Sequence, residues 1–170
     1  MKKGQMIGQV FIYILAIILT AVILGYGYKT IVTFRENSEK ISYIQFQTDL
    51  QNSVETITSD FGSVKIIGLS LPANFKKVCF VKNYQDFSDT FSAPDYPIIE
   101  NSVVDGAEKN VFLVENIAKE SFYVGKIDLD DDSGYLINDD LLCISVLSGK
   151  LRLRLEGKGD HTKIREIGLS

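Results

Sequence analysis

An acidic run between residues 128 and 134 is the stretch whose side chains could hold an ion. Asp128, Asp130 and Asp132 alternate along it, and Gly134 follows. Carboxylate oxygens at alternate positions are the ligands with which calcium-binding loops open. The glycine falls one place later than such a loop requires, and Asp139 stands where a longer glutamate is usual. The run predicts either a Ca²⁺ site or a hairpin tip in which Asp, Ser and Gly satisfy the turn geometry.

The two cysteines, Cys79 and Cys143, each lie in an apolar run of strand character. Outside the cytoplasm such a pair would form a disulfide, and closing so long a loop would stabilise the fold by about 4 kcal/mol. Two separate buried thiols that behave as small hydrophobic side chains are the alternative. Their separation excludes a C-x-x-C redox or zinc pair.

Groups that could catalyse a reaction are sparse. His161 is the one histidine and stands in a polar turn, where a solvent-facing position is expected. No phosphate-binding glycine loop and no nucleophile elbow occurs, so we expect no enzyme. The net charge is −4 and no basic run or basic face is apparent, which argues against a nucleic-acid partner.

The element that must position everything else is an uncharged N-terminal stretch. Residues 6–28 contain no Asp, Glu, Lys, Arg or His. A helix of ~20 apolar residues spans the hydrocarbon of a bilayer, and the apolar side chains here give an insertion free energy on the order of −5 kcal/mol. We therefore predict a transmembrane helix over residues 5–28, in a protein of the cell membrane that crosses it once.

The orientation of the span depends on few charges. Lys2 and Lys3 precede it, whereas Lys29 and Arg35 follow it with Glu36 as a partial offset. The positive-inside bias favours a cytoplasmic N-terminus slightly, and a short basic start before an apolar core is also what export machinery reads. We expect the C-terminal domain to be extracytoplasmic.

Helical periodicity continues beyond the span. Residues 29–61 are predicted to extend the helix with one apolar stripe, formed by Ile31, Phe34, Ile41, Ile44, Leu50, Val54, Ile57 and Phe61. Gly62 is the predicted stop.

Apolar and polar residues alternate along much of the stretch 62–170, as they do in β-strands with one buried face. Predicted strands cover 64–71, 77–82, 110–114, 122–127, 141–147, 150–155 and 161–167. Ser148-Gly149 and the stretch 157–160 are predicted as hairpin turns. The fold class is α+β, with the helix stripe covering an antiparallel sheet. Residues 84–105 break the periodicity and predict a surface loop with a short helix, which either binds a ligand or tucks its aromatic side chains onto the core.

The start of the chain, Lys2-Lys3-Gly4-Gln5 directly before the apolar span, resembles the class III signal peptides of archaeal type IV pilins and related pilin-like proteins. The resemblance implies that residues 1–4 are a basic leader and that a prepilin peptidase cuts between Gly4 and Gln5. It also implies a continuous helix, half in the membrane and half packed on a β-domain. An uncleaved anchor is the alternative.

The resemblance further implies self-assembly through the N-terminal helix. Gly8, Ala16, Ala21 and Gly25 are small enough for close helix approach. Pilins often carry a glutamate at the fifth mature position, where this chain has Gln9. An amide there hydrogen-bonds but cannot neutralise a neighbouring N-terminal amine, which favours a minor pilin or a tethered surface protein.

These patterns together predict a membrane-anchored, pilin-like surface protein with a structural or adhesive role, as a filament subunit or a minor component. A single-pass anchored binding module that does not assemble is the alternative, and a membrane-associated enzyme is the least favoured.

Overall fold

The computed structural model describes residues 5–83, 91–130, 136–138, 140–146 and 148–167, with no account of the side chains of residues 5–9, 36 and 136–138. The chain divides into two compact units, Met1–Lys40 and Ile41–Ser170. In the described part of the first unit the backbone is entirely helical.

The N-terminal helix α1 covers Gln5–Thr58, three residues short of the predicted end at residue 61. Gly62 follows it with a φ of +78°, a conformation that favours glycine, so the predicted stop is present. Within the second unit, the last turns of α1 bury Phe46, Leu50, Val54 and Ile57. Their spacing of four, four and three residues places them on one face.

Nine strands and a second helix make up the rest of the described chain. The strands are β1 (Val64–Ser70), β2 (Lys77–Val81), β3 (Val111–Val114), β4 (Ala118–Phe122), β5 (Ile127–Leu129), β6 (Leu136–Asn138), β7 (Leu141–Ser145), β8 (Lys150–Gly157) and β9 (Thr162–Glu166). Helix α2 covers Pro97–Val104, inside the stretch where a short helix was predicted. Pro97 suits the first turn, where its missing N–H has no partner to lose.

Among the described residues the strands form two sheets, whereas a single antiparallel sheet was predicted. One has the order β1-β8-β9-β5 and the other β4-β3-β2-β7-β6. All pairs are antiparallel except β5 with β9, which is parallel. The sheet part of the fold is therefore mixed, and the α+β class is confirmed.

The main core lies between α1 and the two sheets. It joins the buried α1 side chains to inward residues of both sheets, among them Ile67, Phe80, Leu142 and Leu153. A second cluster occupies the opposite face of the five-stranded sheet, where Ile99 and Val103 of α2 cover it. With both faces buried, β2 and β3 are apolar at nearly every position, as strands buried on two sides must be.

Two details of the strand prediction and one of the helix prediction are wrong. Residues 122–127 do not form one strand, because Gly125 has a φ of +109° and separates β4 from β5. The Ser148-Gly149 turn does not close a hairpin, because β7 and β8 belong to different sheets. The stripe prediction also fails for Ile31, Phe34, Ile41, Ile44 and Phe61, which are exposed. The turn at 157–160 does close a hairpin, between β8 and β9.

Candidate functional site

The apolar half of α1 presents hydrophobic side chains on all sides. From Val10 to Leu24 the large apolar side chains leave between 48% and 69% of their surface exposed. An 18-residue window of the helix has a mean hydropathy of 2.5, and none of it is buried. A helix that packed one face on a soluble core would show one apolar stripe, whereas lipid contact needs apolar side chains all round. This helix is long and apolar enough to cross a membrane.

The predicted assembly residues do not share one face of this helix. Ala21 and Gly25 are four residues apart and lie on adjacent turns, whereas Ala16 lies roughly 180° around the helix from Gly25 at ~100° per residue. All three are exposed. Gly8 and Gln9 fall where side chains are not described. Close approach of neighbouring helices through these small residues stays a prediction.

The predicted leader cleavage also stays a prediction. Gly4 lies outside the described residues, and α1 is described from Gln5.

Cys79 and Cys143 form the predicted disulfide. They lie directly opposite each other on the neighbouring strands β2 and β7. The hydrogen bonds from Val146 N–H to Lys76 O and from Lys82 N–H to Asp140 O make alternate pairs of this ladder hydrogen-bonded. The cysteines therefore occupy a pair without hydrogen bonds, where the strands come closest, and their Cα atoms are 4.0 Å apart.

The predicted loop at 84–105 covers this disulfide. Residues 84–90 lie outside the described part, but Phe91, Ala93 and Tyr96 pack with the α2 residues Ile99 and Val103 on the cysteine face of the sheet. This packing agrees with the interpretation in which the loop places its aromatic side chains on the core, the alternative to the one in which it binds a ligand.

The described members of the acidic run contact cations. Asp128 on β5 pairs with Lys82 at 3.1 Å, and Asp130 pairs with Lys163 at 3.5 Å and with Arg165. Burial raises the pKa of the Asp130 carboxyl, but Arg165 and Lys163 outweigh it and hold that pKa below its usual value. Asp132 lies outside the described residues, so a three-carboxylate Ca²⁺ site stays a prediction.

These ion pairs belong to a charged sheet face, although no basic face was apparent from the sequence. The outward side of the four-stranded sheet gathers five cations, namely Lys150, Arg152, Arg154, Lys163 and Arg165, as the strand registers show. Asp128, Asp130 and Glu156 lie among them on the same side. The face is mixed in charge, with a small basic excess.

Buried Asn110 and partly buried Asn83 shape a polar trough beside α1, formed by the turn between β4 and β5 and the helix face next to it. The Asn110 side chain donates to Gly125 O at 2.7 Å and accepts from Val124 N–H at 3.0 Å. Asn83 donates to the same carbonyl at 3.2 Å and accepts from Ile127 N–H at 2.7 Å. The two amides thus bond the turn at residues 123–126, which belongs to no strand, and they fix its position between β4 and β5.

Tyr123 projects from that turn between two depressions. One, of about 520 Å³, is lined by α1 and the turn, including Asn52, Glu55, Ser59, Tyr123 and Lys126. The other, of about 370 Å³, includes Asn83, Glu108, Lys109 and Tyr123. Gln51 ties the helix to the turn, because its side-chain amide donates to Tyr123 O at 2.6 Å. The Tyr123 side chain itself is 42% exposed.

This trough offers a half-exposed aromatic ring flanked by amide, carboxylate, hydroxyl and ammonium groups. Such a set can hold a neutral polar ligand through hydrogen bonds while the ring covers its apolar side. Sequence reasoning missed it, because Tyr123 was placed inside a predicted strand. A glycine within that run was the one available signal.

No metal-binding cluster accompanies these features in the described part of the chain. Within it, no group of three or more His, Cys, Asp or Glu side chains could hold a metal ion. His161 is not solvent-facing as expected, since only 12% of its side chain is exposed and its Nδ1 lies 2.7 Å from Asp160 Oδ1.

No protein-family model, curated protein or solved structure matches this chain. Its function must therefore be inferred from its own residues.

Proposed function

We propose that the protein is a membrane-anchored, pilin-like component of the cell surface, with a structural or adhesive role. The observation that carries this proposal is the character of α1. Its first half is apolar on all sides, and its last turns supply Phe46, Leu50, Val54 and Ile57 to the core of the β-domain. A helix whose first half suits contact with lipid, and whose last turns pack in a domain core, can anchor that domain to a membrane.

The disulfide supports an extracytoplasmic domain. Disulfides persist in oxidising compartments and are rare in the cytosol. The basic start at Lys2 and Lys3 agrees with export that leaves the N-terminus inside.

The N-terminus of the mature protein tests the pilin-like part of the proposal. In cells that hold an archaeal-type prepilin peptidase, we expect the purified protein to begin at Gln5 by mass spectrometry. Gly4→Leu should block the cut, whereas the matched change Gly8→Leu, beyond the cut, should leave it intact. An intact Met1 in such cells would overturn processing and leave the uncleaved anchor.

Assembly is tested separately by electron microscopy of cells that express the tagged protein. A filament subunit or minor component gives labelled filaments, whereas a tethered protein gives a diffuse rim.

The trough around Tyr123 favours a second candidate, a tethered binding module for a neutral polar ligand such as a surface saccharide. Tyr123→Ala should abolish binding on a glycan array, because the ring would no longer cover the apolar side of the ligand. The exposed Ile117→Ala serves as the control. Equal binding by wild type and Tyr123→Ala would remove this candidate.

A further inference from the structure

Within the part of the chain that the structure describes, the edge strand β1 is open on one side. It stands at the end of its sheet and pairs only with β8 among the described strands. Gly157 N–H donates to Ser63 O, and Leu71 N–H donates to Gly149 O, both in the β1–β8 register. Odd-numbered residues of β1 therefore bond β8, and the N–H and C=O groups of Val64, Ile66, Gly68 and Ser70 point to the open edge.

The side chains at these open positions also lie on the outward face. Ile67 and Leu69 point into the core, whereas Val64 and Ile66 leave 49% and 58% of their surface exposed. A β-carbon built on Gly68 would meet no atom within 4 Å, so the space above this residue is empty. An exposed edge with apolar side chains is a template for strand addition.

We propose that β1 pairs with β1 of a second copy of this chain, antiparallel about a two-fold axis at Ile67. This register places Ile66 opposite Gly68 of the second copy and Val64 opposite Ser70 of the second copy. All four of these residues direct their N–H and C=O groups to the open edge, so each pair exchanges two hydrogen bonds.

The fit of large to small side chains is what points to a second copy. Ile66 fills the empty space over the facing glycine, and two-fold symmetry repeats this contact without any other sequence. Lys65 is the one charge on β1, and it lies on the other face of the strand. A single strand pair buries little area, so the dimer is weak in solution. Confinement to a membrane, which rests on the proposed function, raises the local concentration of the copies.

Opposite charges introduced at Ile66 test this pairing, in the full-length chain in detergent micelles. In the proposed register the two Ile66 side chains are diagonal neighbours on one face. Ile66→Lys and Ile66→Glu should each weaken self-association at least about fivefold, and a mixture of the two differently tagged variants should recover it. Ile117→Lys, at a site of nearly equal exposure, is the matched control and should associate as wild type.

Association through the membrane helices would give equal co-purification for every combination of Ile66 variants, and that result overturns the proposal. Amide hydrogen exchange provides a second measurement. Protection of the amides of Val64, Ile66, Gly68 and Ser70 should rise with protein concentration, and concentration-independent exchange there also overturns it. Membrane extraction of the Ile66 variants should match wild type, which separates this test from that of the anchor.

Discussion

At the scale of single residues, the disulfide makes a definable contribution to stability. Cys79 and Cys143 are separated by 64 positions, and cross-linking a loop of that length removes chain entropy from the unfolded state worth about 4 kcal/mol. The double variant Cys79→Ala/Cys143→Ala should lose on the order of that free energy of unfolding, measured by denaturant titration. Reduction of the wild-type protein should produce a similar loss. A midpoint that reduction leaves unchanged would contradict the assignment of a stabilising bond.

The pairing of Asp130 with Lys163 and Arg165 predicts a pH dependence. Because its folded pKa is below the ordinary value of about 3.9, the unfolded state binds the proton first as the pH falls. The stabilisation is therefore full above that value and is lost as the pH falls through the folded pKa. Asp130→Asn should cost on the order of 1 kcal/mol at pH 7, since the side chain is 20% exposed.

Thermal unfolding scans from pH 7 to pH 2 would check this dependence. The stability difference between wild type and Asp130→Asn should shrink toward zero at the acid end. The exposed Asp49→Asn is the control and should track wild type throughout. A difference that persists unchanged to pH 2 would contradict the ion-pair explanation.

The role of a single residue is easier to predict from sequence when its type identifies its partner, and harder when the partner is an ordinary backbone group far along the chain. Cys79 was predictable because residue type alone limits its partner to Cys143. The roles of Asn83 and Asn110 were not, because both bond Gly125, which lies 42 and 15 positions away. An asparagine in a polar stretch gives no sign of a distant carbonyl, so the trough that these side chains shape was missed.

At the scale of elements, the end of α1 and the end of β8 touch through their backbones. A β-carbon on Gly157 would overlap Ile57 O and Asp60 O, and neither backbone carbonyl can move aside as the end of a flexible side chain would. Gly157→Ala must push the end of the helix off the sheet. We expect a loss of about 2 to 3 kcal/mol in the free energy of unfolding, by denaturant titration.

Gly68→Ala is the matched control for that substitution. It lies on β1, which pairs with the same strand β8, but its added methyl group would meet open space. Measured on dilute protein, it should be neutral or stabilise by about 0.4 to 1 kcal/mol, because alanine restricts the unfolded chain more than glycine does. Equal losses for the two variants would contradict the close approach.

The helix illustrates how far an element can be predicted from periodicity. Leu50, Val54 and Ile57 were predicted on the core face and are buried there, but Ile41 and Ile44 are exposed and Phe46 takes their place. Apolar side chains at helical spacing show that a stripe exists. Which stripe meets the core is decided by the sheets it packs on, and these are formed by residues far along the chain.

At the scale of the whole molecule, local patterns under-determined how the strands assemble. Alternation in Lys150–Gly157 identified β8, and the tight turn before it was located correctly. A turn between two strands usually closes a hairpin. Here the chain instead passes to the other sheet, because β7 pairs with β2 and β8 pairs with β1. That choice depends on which strands share the core, which turn residues do not encode.

The membrane anchor gives the prediction that concerns the molecule as a whole. Two lysines at Ile14 and Ile18, one turn apart in the apolar stretch, should each cost about 2.5 to 3.5 kcal/mol of insertion free energy. Their sum exceeds the favourable term on the order of −5 kcal/mol estimated for the stretch. The double variant Ile14→Lys/Ile18→Lys should therefore no longer be found in the membrane fraction in flotation and alkaline-extraction experiments.

Ile41→Lys/Ile44→Lys is the matched control, because these two side chains are as exposed as Ile14 and Ile18 but lie beyond the uncharged stretch. It should float with the membranes as wild type does. The disulfide should form in both double variants, because none of the four residues belongs to the buried core, and this separates lost insertion from lost folding. A wild-type chain that stays monomeric in buffer without detergent would overturn the anchor, since the exposed apolar surface of α1 must be covered by lipid or by protein.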